Sequence, residues 1–294
     1  MSDSTVAALW VADPALRWAS AEASGTVIGV FGHTVHVEAG GEVIAVQPAD
    51  APRMPNGVGV EVSTWPESVA PGRSVELTSR GLILDGIAVS WSGGETDHWD
   101  PAVARWPAEG CPGVAERGAA LARLGAPSSS GGLHVQEGAG SAKRLIESAA
   151  NVDPDIGAAA ASRLIGLGGG LTPVGDDVIA ATALTILALG EATGRSTAET
   201  VAWIEAVVPA ELERRTIPVS VTLLRLAADG DAIGPAAELL DPGSSDSALA
   251  SAAAELSRIG HSTGRAYVNT IGAVALALTG GPTTVTQPEE ELSR

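Results

Sequence analysis

Residues 166–190 read Gly166-Leu-Gly-Gly-Gly-Leu-Thr-Pro-Val-Gly-Asp-Asp177, followed by Val-Ile-Ala-Ala-Thr-Ala-Leu-Thr-Ile-Leu-Ala-Leu-Gly190. The second half is apolar nearly all round, the pattern of a helix buried on every side. The first half carries the signals that start such a helix. Thr172 is suited to the N-cap, and Pro173 to the first helical position, where a missing N–H costs nothing. Five glycines (166, 168, 169, 170 and 175) precede or enter the helix, and they permit close backbone approach and left-handed conformations. Two readings fit this loop. Glycines before a helix can simply make a tight turn, and one Asp in the first turn complements the helix dipole. A glycine loop opening a buried helix is also a ready anion site through its backbone N–H groups. The adjacent pair Asp176 and Asp177 favours a ligand, because a second carboxylate adds repulsion that a metal ion, a cationic group or a hydrogen-bond donor would relieve.

Outward from this helix, the C-terminal part is Ala-rich and helical in period. Helices are predicted over 113–124, 141–150, 155–165, 173–190, 196–208, 218–229, 233–240, 246–258 and 264–279. The Ser- and Gly-rich stretch 125–140 reads as a connection and the last residues, 289–294, as a solvated tail. Upstream the period changes to two. Residues 26–31, 33–38, 42–46, 57–62, 74–77 and 87–91 read as short strands, with turns at Gly32, Gly40-Gly41, Pro55-Asn56-Gly57, Pro71-Gly72 and Asp85-Gly86. The first twenty residues carry an amphipathic pattern (Val6, Leu9, Trp10, Leu16, Trp18) interrupted by Pro14. The expected fold is α+β: an N-terminal antiparallel sheet or small barrel over residues 1–108, then a helical bundle over 109–294.

Composition narrows the function classes. The chain has 294 residues and a formal net charge of −18, which opposes nucleic acid and anionic membrane surfaces, since both are bound by neutralising phosphates with cations. No run of Lys and Arg is long enough to form a local exception. Cys111 is the only cysteine, so no disulfide framework or cysteine zinc site is expected. The start lacks a basic leader, and the longest apolar run, 178–189, is too short to span a bilayer. A cytoplasmic protein without nucleic-acid or membrane partners is expected.

Two more segments place polar residues at helix starts. Arg214-Arg215-Thr216-Ile-Pro-Val-Ser220 opens one helix, with Thr216 as the expected cap and Pro218 in the first turn. Arg214 and Arg215 are either surface residues beside an ordinary cap or bidentate partners of an anion. Gly260-His261-Ser262-Thr263-Gly264-Arg265 opens another. His261 there is either a structural residue or a general base or metal ligand. No Gly-x-Ser-x-Gly elbow is present to support a Ser-His-Asp nucleophile. His33 and His36 are expected on opposite strand faces, His98 and His134 have no metal-ligand spacing, and Trp91, Trp99 and Trp106 read as core or seam residues.

Taken together, Gly166 to Asp177, Arg215 to Ser220 with its Leu-Leu-x-x-Ala-Ala-x-Gly continuation, and Gly260 to Gly264, with Pro55-Asn56-Gly57 upstream, resemble the AllH-like family of oxamate carbamoyltransferase subunits. The resemblance spans roughly residues 25–280 and is strongest from 160 onward. It implies a role in purine (allantoin) breakdown, where such subunits act with partners to move a carbamoyl group between oxalurate and phosphate. Gly169, Val174 and Ala266 depart from the family's common Pro, Ser and Asp. On this reading Asp176, Asp177 and His261 are the catalytic candidates. Gly168, Gly169, Gly170, Thr172, Arg214, Arg215, Thr216, Ser220, Ser262, Thr263, Arg265 and Asn56 are the substrate-binding candidates. The glycine backbone would donate to a tetrahedral oxyanion, the arginines would balance phosphate or carboxylate, and an Asp would hold ureido or amide N–H groups. No metal site is assigned; Mg²⁺ is the one cofactor the Asp pair could take. The expected partners are a small-molecule substrate and further subunits of an oligomer. The same residues leave open a non-catalytic binding or partner subunit, and a Mg²⁺-dependent phosphate-handling hydrolase.

Overall fold

In a computed structural model, which describes residues 4–21, 23–62, 64–92, 94–108, 113–125 and 136–280, the N-terminal strands close into a barrel. Its eight strands are β1 (Ser4–Ala12), β2 (Ser24–Phe31), β3 (Thr34–Ala39), β4 (Glu42–Pro48), β5 (Gly57–Val60), β6 (Ser74–Thr78), β7 (Gly81–Leu84) and β8 (Ile87–Ser90). Their order is β5-β4-β3-β2-β6-β7-β8-β1, and β1 closes the ring on β5. β9 (Asp97–Trp99) adds alongside β1. Most pairs are antiparallel, but β4–β5, β1–β8 and β1–β9 are parallel. Inward side chains such as Val11, Val27, Val37, Ile44, Val46, Val58, Leu82 and Val89 fill the barrel, the period-2 pattern that alternation along a strand requires.

The first segment corrects its sequence reading. The amphipathic pattern is two elements and not one: residues 4–12 are the closing strand, and Pro14, where the pattern breaks, sits in the first turn of α1 (Asp13–Ala21). Trp10 is buried across β5, where Gly57 and Gly59 make room for it. A Cβ on Gly59 would lie 2.0 Å from the indole nitrogen.

The remaining described residues form α2 (Val114–Leu124), α3 (Gln136–Asn151), α4 (Pro154–Leu164), α5 (Val174–Leu189), α6 (Thr197–Val207), α7 (Pro218–Asp229), α8 (Gly234–Leu240), α9 (Asp246–Leu256) and α10 (Thr263–Leu278). The fold is therefore α+β, a barrel followed by helices. α3 begins earlier than expected, so 136–140 are helical, and Gly125 caps the end of α2; residues 126–135 of the predicted connection, His134 among them, with Cys111 and the tail, lie outside the described residues. α5 is the central helix, buried from Gly175 to Leu189 and packed against α3, α4, α6, α7 and α10.

Barrel and bundle meet along β4 and α7. Every residue from Val43 to Gln47 is buried: Ile44 and Val46 point into the barrel, while Val43 packs on Val219 and Leu223 of α7. The Val43 N–H donates to Thr222 Oγ1 at 2.9 Å, and Arg225 pairs with Glu42 at 3.1 Å. Residues 101–106 cross to the helices. There the Trp106 indole donates to the Leu240 carbonyl at 2.8 Å, within the helical core. Trp91 belongs to the barrel core, and Trp99 lies edge-on to Trp10 with Arg53 over both rings.

Candidate functional site

Asp176 and Asp177 stand in the first turn of α5, where the unpaired N–H groups of a helix start favour negative charge. Pro173, not Thr172, occupies the N-cap position and makes no side-chain cap. This frees the Thr172 hydroxyl for other partners. Asp176 Oδ1 accepts the Gly166 N–H at 2.8 Å, and Oδ2 accepts the hydroxyl of Thr216. Thr216 likewise is not the cap of its helix: Ile217 is, with Pro218 at the first helical position. The two loops touch closely. Gly166 has φ +75°, and a Cβ there would fall 2.2 Å from the Arg215 carbonyl oxygen. Gly175 is as constrained, since its Cβ would lie 2.0 Å from the Leu164 carbonyl oxygen. Ser220, almost wholly buried one turn into α7, faces Asp176 and helps its charged form, yet its Oγ has no well-formed hydrogen bond.

Asp177 looks toward α10. Thr172 Oγ1 donates to Asp177 Oδ2 at 3.4 Å and lies 2.8 Å from Thr263 Oγ1, a hydroxyl pair in which either oxygen can donate. Tyr267, one turn beyond Thr263, is buried, and its phenol is pushed up by burial and by the charges of Asp177 and Asp176. It stays protonated. Gly264 allows the turn before α10 to fold back: a Cβ would collide with the Leu256 carbonyl oxygen at 1.6 Å.

Burial sets the electrostatics of the pair. It raises Asp176, against the pull of Thr216, Gly166, Ser220 and the Arg215 charge. It raises Asp177 to about 7, against the Thr263 and Thr172 hydroxyls, and the Asp176 charge adds to the rise. The two carboxyls differ in kind. Asp176 is braced by donors on both oxygens, whereas Asp177 has hydroxyls alone as hydrogen-bond partners among the described residues.

The segments that meet at the pair are rich in arginine, and the Arg215 charge acts on Asp176. Segments 162–171, 213–217 and 257–265 hold five arginines (163, 214, 215, 258 and 265) and one carboxylate, Glu213, which pairs with Arg225. All five arginines are exposed, and none is in an ion pair among the described residues. Arg215 is tethered by a bond to the Ser162 carbonyl and Arg265 by one to the His261 carbonyl, which leaves other N–H groups of each fork for a ligand.

Other candidates fall around this centre or away from it. Gly168, Gly169 and Gly170 are exposed, and their N–H groups have no acceptor among the described residues. Ser262 is the N-cap of α10 and makes no side-chain cap. His261 is exposed, and its ring makes no hydrogen bond among the described residues. Asn56 belongs to the barrel–bundle seam: its Nδ2 donates to the Val43 carbonyl at 2.8 Å and its buried Oδ1 is unpartnered. His36 is buried and held neutral, lowered to about 4 by burial, while His33 lies in the turn before β3. Tyr267 was not among the sequence candidates; its spacing of four from Thr263 was the available signal.

A cavity of about 450 Å³ lies between residues 49–53 and helices α8 and α9, and one of about 290 Å³ beside Arg17, Glu42 and Arg225. Neither is lined by the carboxylate pair. No group of three or more His, Cys, Asp or Glu placed to hold a metal ion occurs among the described residues, and none of their helices is long and apolar enough to cross a membrane.

Residues 164–275 match the family model described as oxamate carbamoyltransferase subunit AllH. The matched segment contains all three helix-start blocks. No curated protein and no solved structure matches the chain.

Proposed function

We propose that this chain, which carries the AllH match over residues 164–275, is a subunit or relative of an oxamate carbamoyltransferase-type enzyme. It would act on a small ureido or amide acid with carbamoyl phosphate, beside partner subunits in a cytoplasmic oligomer that serves purine (allantoin) breakdown. The observation that carries this reading is the meeting of three distant segments at Asp176 and Asp177, through Thr216 and the Thr172–Thr263 pair.

The ligand must offer what the surface seeks. Unpaired arginines and free glycine N–H groups suit a phosphate or carboxylate and a tetrahedral oxyanion. Carboxylates beneath them repel a bare anion but suit the N–H groups of an amide or ureido moiety. Carbamoyl phosphate and oxamate carry both features. In this reading Arg214, Arg215 and Arg265 hold the anionic ends, Gly168 to Gly170 face the oxyanion, and the buried Asp177 serves the nitrogen through the Thr172 and Thr263 hydroxyls.

A second reading has its own support. Both oxygens of Asp176 are satisfied within the protein, and neither cavity reaches the pair, as expected of a binding or docking subunit whose site a partner completes. Carbamoyl transfer from carbamoyl phosphate to oxamate, assayed for the chain alone and with the products of neighbouring genes, separates the two. Transfer that requires this chain and its Asp177 supports the first. Transfer by the partners that is indifferent to Asp177→Asn supports the second.

A further inference from the structure

We propose that Asp177 receives the proton released by the substrate nitrogen during carbamoyl transfer, and that the hydroxyls of Thr263 and Thr172 carry it there. This rests on the transferase reading above. The asymmetry of the two carboxyls supports it. Asp176 holds the Gly166 N–H and the Thr216 hydroxyl, so protonating it would break the joint between two loops. Asp177 has no backbone donor and no ion-pair partner among the described residues, and its position near 7 suits proton exchange at neutral pH.

The path outward is made of groups that both donate and accept. Thr172 is buried against Asp177, and Thr263 is half-buried at the mouth of α10, 2.8 Å from Thr172, in a bond that either oxygen can donate. The other titratable groups facing Asp177 are Asp176 on the same helix and the protonated Tyr267 on α10; Arg215 lies beyond Asp176. Neither neighbour is free to take the proton: Asp176 is braced, and Tyr267 already holds its own.

The step balances. As the amide nitrogen forms its bond to the carbamoyl carbon, the bond from that carbon to the phosphate oxygen breaks, and its electron pair leaves with phosphate. The surplus nitrogen proton passes to Thr263, the Thr263 proton to Thr172, and the Thr172 proton to Asp177. The same hydroxyls return a proton to the departing phosphate, which leaves as hydrogen phosphate. Thr263 is the residue placed to touch substrate; Thr172 acts through it.

The test joins an assay to a titration of the protein itself. In the full complex, Thr263→Val should lower kcat about 100-fold, the lower range for general acid–base catalysis, with KM nearly unchanged. Thr263→Ser should recover most of the rate, and the rate limb near pH 7 should vanish in Asp177→Asn. In the free full-length chain, carboxyl ¹³C NMR should show Asp177 (assigned from the Asp177→Asn spectrum) titrating near neutrality, moving higher in Thr263→Val and returning in Thr263→Ser. An unchanged kcat in Thr263→Val, or a titration indifferent to Thr263, overturns the relay. Absence of transfer by any wild-type complex sinks the transferase reading instead, and the NMR series then decides by itself whether the hydroxyl pair governs Asp177.

Discussion

Asp176 and Thr216, 40 residues apart in sequence, are joined by a side-chain hydrogen bond that ties the start of α5 to the loop before α7. With the Gly166 N–H on its other oxygen, Asp176 holds three backbone segments in one place.

Asp176→Asn keeps the size of the side chain but replaces one acceptor oxygen with a donor. Hydrogen bonds to a charged group contribute about 1.5–3 kcal/mol each, so a loss of about 2–3 kcal/mol is expected. Urea denaturation followed by circular dichroism measures it. A stability equal to wild type would show that the joint carries no load.

Two glycine substitutions in neighbouring segments should behave oppositely. Gly264→Ala drives a Cβ into the Leu256 carbonyl oxygen, a backbone contact at 1.6 Å that no rotamer can relieve; a loss above about 3 kcal/mol is expected. Gly169→Ala meets no atom within 4 Å and is not among the positive-φ glycines, so it should stay within about 0.5 kcal/mol of wild type. Thermal melts of the pair test the contrast.

The pH dependence has a definite sign. The folded-state value of Asp177, about 7, lies above its ordinary 3.8, so between about pH 4 and 7 the folded protein holds a proton that the unfolded chain has lost. Stability therefore falls as pH rises through that window and levels off above it. His36, lowered from 6.5 to about 4, acts in the opposite sense over about pH 4–6.5. The comparison that isolates Asp177 is wild type against Asp177→Asn. The variant should gain on wild type steadily from pH 4 to 7. Parallel curves would contradict the buried carboxyl.

At the seam, Thr222→Val removes the acceptor of the buried Val43 N–H. An orphaned buried donor costs about 1–3 kcal/mol; Thr222→Ser keeps the oxygen and should cost less. Hydrogen exchange at Val43, faster in the valine variant alone, reports the same bond.

The helices were legible because their ends are written locally. Gly230 stops α7, Ser196 caps α6 in a reciprocal box with Glu199, and Pro218 starts α7. A small barrel was one of the two forms expected, but the strand that closes it was not legible, because β1 pairs with β5 and β8, contacts set by the whole sheet and not by residues 4–12. β7 was missed as a four-residue run with Ile83 outward. At the site, the polar helix starts marked the right segments, but the caps fell one residue later than expected. Thr172 and Thr216 are thereby released to the two carboxylates, a tertiary choice that overrides local capping preference. For the same reason Thr263, not His261, is the residue of its block that meets the pair. The convergence itself, of residues 166, 172, 216 and 263 on the pair, is set by the packing of three helix starts, which no spacing within one of them encodes.

Asp177→Asn removes the carboxyl that faces the hydroxyl pair and spares the Asp176 joint. The deciding measurement is carbamoyl transfer from carbamoyl phosphate to oxamate by the chain with its partner subunits, wild type against Asp177→Asn. Wild type should transfer the group, and the variant should lose about 100-fold or more in kcat with the fold intact. Equal rates would contradict this.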